Sequence, residues 1–208
     1  MAETTTHGFP LFPLQLVVLP TELLPLHIFE ERYRTMVETC LATDSEFGIV
    51  WLADDGLREY GCACRIERVT ERFDDGRMNL LVRGTRPLRI LERERDLAYP
   101  AGFVAFPRDL SEPSQQVLLT LARQTYSELV QKATERELSD AELSSLSAYE
   151  MAATVDFGLE SKQTLLELRS EEARLRLVTR LFRAALKRLD FVDRAQARAR
   201  SNGKVRFG

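Results

Sequence analysis

The sequence contains few of the side chains on which most catalytic sites depend. Its 208 residues include two histidines, His7 and His27, and four lysines, the first of which is Lys132. A histidine triad or a histidine-rich metal site would therefore have to use His27. The three cysteines are an odd number and too few for a disulfide scaffold, which indicates a reducing compartment.

Long apolar runs are also missing. The longest runs, 16–19 and 23–26, are interrupted or bounded by prolines and are far shorter than the roughly 20 residues that span a bilayer. The first six residues have neither the basic nor the apolar region of a secretory signal. These absences predict a cytoplasmic protein that makes no membrane contact.

Motifs that hold phosphate or activate a serine are absent as well. The Gly203-Lys204 pair lacks the upstream glycine of a P-loop, and neither G-x-G-x-x-G nor G-x-S-x-G occurs. Ser161 and Lys162 are neighbours, but they lie at a predicted helix start, where the lysine would be solvated and protonated. The sequence therefore predicts that the protein is not an enzyme and uses no cofactor.

Charge is distributed unevenly along the chain. Residues 1–111 carry 13 basic and 18 acidic side chains, and residues 112–193 carry 11 and 14. Residues 194–208 carry five basic side chains and no acidic ones. We predict an acidic folded body with a short, basic and disordered tail at 194–208, and the charge of the body argues against nucleic acid as a ligand.

The first half predicts β-strands around one helix. An apolar run punctuated by prolines, 12–20, is typical of an edge strand, and a helical period after Phe29 predicts an amphipathic helix ending near Thr43. Asp74-Asp75-Gly76 is a hairpin turn signal. Further strands are predicted at 47–52, 62–67, 77–83, 86–91 and 102–106. This number of short strands indicates a small barrel or closed sheet within residues 9–110.

The second half, residues 111–193, predicts a bundle of three or four helices. Serines mark the expected helix starts, namely Ser114, Ser139, Ser161 and Ser170, and Ser139 with Glu142 forms a capping-box pattern. The last helix is the longest and has apolar residues at alternating spacings of three and four. Its remaining positions are arginine-rich, and we interpret them as a solvated face in preference to a binding face: Arg174, Arg176, Arg180, Arg183 and Arg188.

One cysteine motif has metal-ligand spacing. Cys62 and Cys64 lie on one face of a predicted strand, and Cys40 and His27 are conceivable partners for zinc. The same face carries Ile66, however, and Cys40 belongs to an apolar helix stripe. We therefore interpret the thiols as core residues and predict no metal site.

Several segments resemble the amino-terminal domain of the Lon protease, in its standalone bacterial form. The resemblance begins with the short apolar motifs at 12–14 and 18–20 and continues, in order, with LPLHIFEERYR (24–34), FGIV (47–50), 61–69, RMNLLVRG (77–84), 89–90, KQTLLE (162–167) and 174–175. Cys62 and Cys64 depart from this pattern, where a small polar or aliphatic residue is expected.

The resemblance implies an α+β fold, with a PUA-like β-barrel and one packed helix followed by an α-helical bundle. It also implies a noncatalytic module that binds unfolded or tagged polypeptide, as an adaptor in protein quality control or proteolysis and as a homo-oligomer. The ATPase and Ser-Lys protease modules of full-length Lon are missing from this sequence. Two alternatives remain open, namely an RNA-binding PUA-like protein and an inactive relative of a peptidase.

Four residues in the matching segments are candidates for polypeptide contact, because they are bulky or charged: His27, Phe29, Tyr33 and Arg83. The alternative interpretation is that Phe29 and Tyr33 belong to the core and that Arg83 is a surface charge. For His27, a hydrogen-bonded structural role is the alternative to a functional one.

Overall fold

A computed structural model describes residues 3–94, 97–110 and 116–202, with side chains described as far as residue 195. Strands and helices follow one another in the order β1 (Thr4–Leu14), β2 (Leu23–Ile28), α1 (Glu31–Thr43), β3 (Phe47–Ala53), β4 (Gly56–Arg72), β5 (Met78–Glu94) and β6 (Ala101–Phe106). They continue with α2 (Gln116–Thr134), α3 (Asp140–Ser145), α4 (Ala148–Ala152), α5 (Leu159–Glu167) and α6 (Glu171–Asn202).

The chain divides into two compact units. The sheet unit comprises residues 1–111 and 152–170, and the helical unit comprises residues 112–151 and 171–208. The sequence places 152–170 in the helical half, whereas in the structure they cluster with the sheet. The physical reason is helix α5, whose Gln163 donates a hydrogen bond to the backbone oxygen of Tyr60 in β4 (3.2 Å).

The sheet unit is built on one mixed six-stranded sheet. Its strand order is β2-β5-β4-β3-β1-β6, and β5 also pairs with β6. β1 runs parallel to β3, and every other described pairing is antiparallel. Irregular registers in the β4–β5 pair, such as the shift between Ile66 and Arg68, allow two 17-residue strands to bend.

Two strand boundaries differ from the sequence-based expectation. The polar leader is part of β1, because Thr4–Thr6 pair with Phe106–Val104 of β6. The separate strands predicted at 77–83 and 86–91 are one strand, β5. The intervening Gly84 suggests a break, but its backbone lies so close to the Leu19 carbonyl that an added Cβ would stand 2.2 Å from that oxygen. Only glycine fits this approach.

The core of the sheet unit is formed by apolar side chains of all six strands together with helix α1. Helix α1 buries a stripe of Tyr33, Met36, Val37 and Cys40, as the period predicts, and it ends at Thr43. One cluster of the core joins four strands with Ala63 of β4 and consists of Phe9, Leu11, Val50, Ala63, Leu88, Val104 and Phe106. The burial of these apolar side chains is the main stabilising contribution to the sheet unit.

The helical unit is organised by α2 and α6. The rings of Tyr126 and Phe182 pack with centroids 5.3 Å apart, and further along both helices Lys132 pairs with Asp190. Because these contacts advance together along the sequence, the two helices run in the same direction. The predicted capping box is confirmed, since the Ser139 Oγ accepts from the Glu142 amide and the Glu142 carboxylate accepts from the Ser139 amide.

Helix α6 extends beyond the predicted start of the tail at residue 194. It continues to Asn202, because alternating alanine and arginine favour the helical backbone. The remainder of the predicted tail, 203–208, and the expected helix start at Ser114 lie outside the described residues.

Candidate functional site

Strand β2 lies at the end of the strand order. It pairs with β5 from Leu23 opposite Arg83 to Ile28 opposite Met78, and no other described strand pairs with it. Pro25 in its middle fits such a position, because proline cannot donate to a second ladder. The outer edge of β2 therefore presents backbone groups to which an extended chain can bind.

His27 on β2 takes part in a chain of side-chain hydrogen bonds. The Nδ1 atom of His27 lies 2.6 Å from Oδ1 of Asn79, and Nδ2 of Asn79 donates to Glu71 (2.8 Å). Because the Asn79 amide nitrogen donates to Glu71, its oxygen faces His27, and this network assigns the hydrogen to Nδ1. The His27 ring is itself exposed at the surface.

Aromatic rings surround His27 at the surface. Phe29 is 60% exposed, and its ring stacks on His27 with centroids 5.9 Å apart. Phe73 meets the same imidazole edge-to-face at 6.0 Å, and the Arg77 guanidinium lies 5.1 Å from the Phe73 ring centre. We refer to His27, Phe29, Phe73 and Arg77 as the β2 patch. An exposed aromatic surface of this kind is typical of interaction sites.

The hairpin turn between β4 and β5 holds Arg77 in place. Asp75 accepts hydrogen bonds from the backbone and side chain of Arg77 (3.1 and 2.6 Å), and the Asp75 carbonyl oxygen accepts from Arg34 (2.8 Å). The backbone hydrogen bond from Arg77 is the largest cause that lowers the pKa of Asp75. The carboxylate thus stays charged at neutral pH and pairs with Arg77.

The structure brings two of the four candidate residues together and separates the other two. Tyr33 is only 5% exposed, its ring packs 4.2 Å from that of Phe12, and burial raises the pKa of its hydroxyl. Arg83 lies opposite Leu23 at the other end of β2, where it donates to Glu67 (2.7 Å) and to a backbone oxygen. Tyr33 is therefore a core residue, and Arg83 is a paired surface charge.

Reasoning from the sequence missed Asn79, the neighbour of His27, and two members of the β2 patch, namely Phe73 and Arg77. The signal that identifies them is the Asp74-Asp75-Gly76 turn, since pairing the strands on either side of it places Phe73 and Arg77 next to each other. The register of β2 against β5, which places Asn79 opposite His27, has no counterpart in the sequence pattern.

The cysteines belong to the core. All three are buried and free, and burial is the main cause that raises the pKa of the Cys62 thiol well above its ordinary value. Among residues 3–94, 97–110 and 116–202, no group of three histidine, cysteine or acidic side chains is placed to hold a metal ion. In the same part of the chain, no helix has both the length and the apolar composition needed to cross a bilayer.

Comparison with known proteins gives one family and one fold. The family model of the ATP-dependent protease La (LON) substrate-binding domain matches residues 8–184. A Lon N-terminal domain protein from Xanthomonas campestris is 26% identical, with a TM-score of 0.62 over 83% of this chain and 95% of its own.

The N-terminal domain of the Mycobacterium avium complex Lon protease is 18% identical, with a TM-score of 0.65 over 84% of this chain and 97% of its own, and at this identity it shows the fold alone. The match of the family model covers most of the chain and agrees with the resemblance found in the sequence. The chain belongs to the family of the Lon substrate-binding domain.

Proposed function

We propose that this protein is a noncatalytic module that binds extended or unfolded polypeptide along the outer edge of β2. The observation that carries the proposal is the position of the β2 patch beside a strand edge that no described strand covers. Family membership supports polypeptide as the ligand class. A role as an adaptor in cytoplasmic protein quality control is the biological setting that we propose.

The proposed site recognises a polypeptide through two kinds of contact. A bound segment adds a strand to the sheet, so that its backbone pairs with β2 whatever its sequence. The β2 patch then favours apolar or aromatic side chains, which pack on Phe29 and Phe73, and the exposed His27 imidazole offers a polar contact beside them. This combination suits a module that must accept many unfolded chains.

The fold around this edge supports the same proposal. Because β5 pairs with both β4 and β6, we infer that these strands close into the PUA-like barrel, with β2 attached outside the closed set. We also infer that α2, α3 and α6 represent the helical bundle that the resemblance implies. A closed barrel leaves few free strand edges, which makes β2 the natural place for an added strand.

Binding is measured as the fluorescence anisotropy of a labelled protein that is kept unfolded by reduction and carboxymethylation. The substitution Phe29→Ser removes most of the exposed apolar area of the patch, and we expect it to weaken binding by about tenfold. Phe191→Ser is the matched control, since Phe191 is 72% exposed on α6 in the other unit. It should leave the affinity within about twofold.

A second probe tests the backbone contacts. A short apolar peptide is compared with a copy that is N-methylated at alternate residues, which removes the hydrogen-bond donors of one edge. We expect the methylated peptide to bind more weakly when the modified edge is the one that faces β2. The proposal is contradicted if the unfolded protein shows no saturable binding at tens of micromolar. It is also contradicted if Phe191→Ser weakens binding as much as Phe29→Ser does.

A further inference from the structure

A basic groove runs between α2 and α6 of the helical unit. Its volume is about 520 Å³, and it is lined by Leu118 and Leu121 of α2 and by residues of α6. We refer to it as the basic groove and define it by these two leucines and the four cations of its α6 wall, which are Arg176, Arg180, Arg183 and Lys187.

The cations share one face of α6. Their positions are separated by four, three and four residues, so they form a row about 16 Å long. Arg176 is paired with Glu172 four residues earlier (2.5 Å). Among the described side chains, no carboxylate lies within ion-pair distance of the other three cations. Helix α2 contributes no acidic residue before Glu128.

The floor of the groove distinguishes it from an ordinary solvated face. Leu118 and Leu121 are only partly buried, and Ala184 adds a third apolar surface. A row of cations beside an apolar strip is complementary to a segment that combines carboxylates with apolar side chains. It fits a sugar-phosphate chain less well, because phosphate recognition requires cations but no apolar floor.

Net charge also favours a short acidic segment over a long polyanion. The helical unit contains 14 basic and 11 acidic residues, whereas the sheet unit contains 15 basic and 21 acidic ones. Five of those 14 basic residues lie at 194–208, beyond the groove, so the positive charge at the groove is local and comes from the row on α6. A nucleic acid carries charge along its whole length and is repelled by an acidic chain, but a short peptide can place its carboxylates only where the protein is basic.

We propose that the basic groove docks an acidic amphipathic helix of a partner protein. Carboxylates spaced three and four residues apart on the partner would match Arg180, Arg183 and Lys187 on α6 and bind them. The apolar face of the same helix packs on Leu118 and Leu121. The groove belongs to the helical unit and the β2 patch to the sheet unit, so different residues bind the partner and the polypeptide.

The test uses the full chain and a fluorescein-labelled 18-residue peptide designed as an amphipathic helix with this glutamate spacing. We expect saturable binding at micromolar concentrations that weakens as salt is raised from 50 to 300 mM. The double substitution Arg180→Glu with Arg183→Glu should weaken binding at least tenfold. Arg188→Glu, an exposed reversal on the same helix outside the groove, should change the affinity by less than threefold.

Two further arms distinguish the possible ligands. A scrambled peptide of the same composition has no continuous apolar face, and we expect it to bind at least fivefold more weakly. Phe29→Ser should leave binding of the acidic peptide unchanged, so failure of this proposal and failure of the β2 proposal are distinguishable. Equal binding of the scrambled peptide overturns the proposal, as does tighter binding of a single-stranded oligonucleotide or of anionic phosphatidylserine vesicles that compete for the groove.

Discussion

Glu22 and Lys162 form an ion pair that connects helix α5 to the segment just before β2. The Lys162 Nζ atom lies 2.6 Å from Glu22 Oε1, and the side chains are only 14% and 17% exposed, respectively. The other carboxylate oxygen, Oε2, accepts a hydrogen bond from the Leu19 amide (2.9 Å). Removing either charge leaves the opposite charge partly buried without its partner, and we expect this to destabilise the sheet unit.

The size of the effect follows from the burial of the pair. Exposed pairs contribute about 0.2–1 kcal/mol, whereas removing one partner of a buried pair costs about 3–5 kcal/mol. At this partial exposure we expect Lys162→Met and Glu22→Gln to lower the free energy of unfolding by about 2 kcal/mol each. The double variant should lower the free energy of unfolding by much less than the sum of the two single effects. This difference corresponds to a coupling energy of about 1–2 kcal/mol.

Urea unfolding followed by tryptophan fluorescence measures this coupling. Trp51 is the single tryptophan of the chain and is buried in β3, so its signal reports on the sheet unit alone. The control is a cycle on the exposed pair of Arg89 and Glu59 in the same unit, where a coupling below about 0.5 kcal/mol is expected. A Glu22–Lys162 coupling no larger than that of the control would refute the reasoning.

Three further predictions concern stability. Gly84→Ala should lower the free energy of unfolding measured by Trp51 fluorescence by about 1–3 kcal/mol, because the added methyl group meets the Leu19 carbonyl oxygen. An unchanged unfolding midpoint would contradict this close approach. Phe182→Ala should lower the free energy of unfolding of the helical unit by about 3–5 kcal/mol. The unfolding midpoint seen by helical circular dichroism should fall, whereas the midpoint seen by Trp51 fluorescence should not shift. Because burial raises the pKa of Cys62 above 9, the folded state retains a proton that the unfolded state loses. Stability should therefore fall above about pH 9, and less steeply in Cys62→Ala.

Local patterns account for much of the fold. The period of helix α1, its end at Thr43 and the Ser139 capping box all depend on neighbouring residues, and each appears in the structure as predicted. The continuity of β5 through Gly84 and Pro87 depends on distant backbone, so propensity alone breaks it into two strands. Helix α5 is similar, because its local pattern predicts a helix but cannot show that it packs on β4.

Only part of the candidate site was within reach of the sequence. His27 and Phe29 lie within a recognisable motif, but the sequence pattern predicts no strand at 23–28, so their exposure is known only from the structure. Tyr33 lies on the helical period shared with Met36 and Val37, and that period already indicates burial. The contribution of Asn79 depends on strand register, which is fixed by tertiary pairing between residues about 50 positions apart.

The assignment of residues 152–170 to the sheet unit affects how the protein folds during synthesis. The chain leaves the sheet unit at residue 111 and returns to it only at residue 152. A nascent chain that has emerged from the ribosome as far as β6 therefore still lacks α5 and the Lys162 partner of Glu22. At typical elongation rates of about 5–20 residues per second, several seconds pass before α5 is synthesised, and during this time a chaperone can bind the sheet that still lacks this helix.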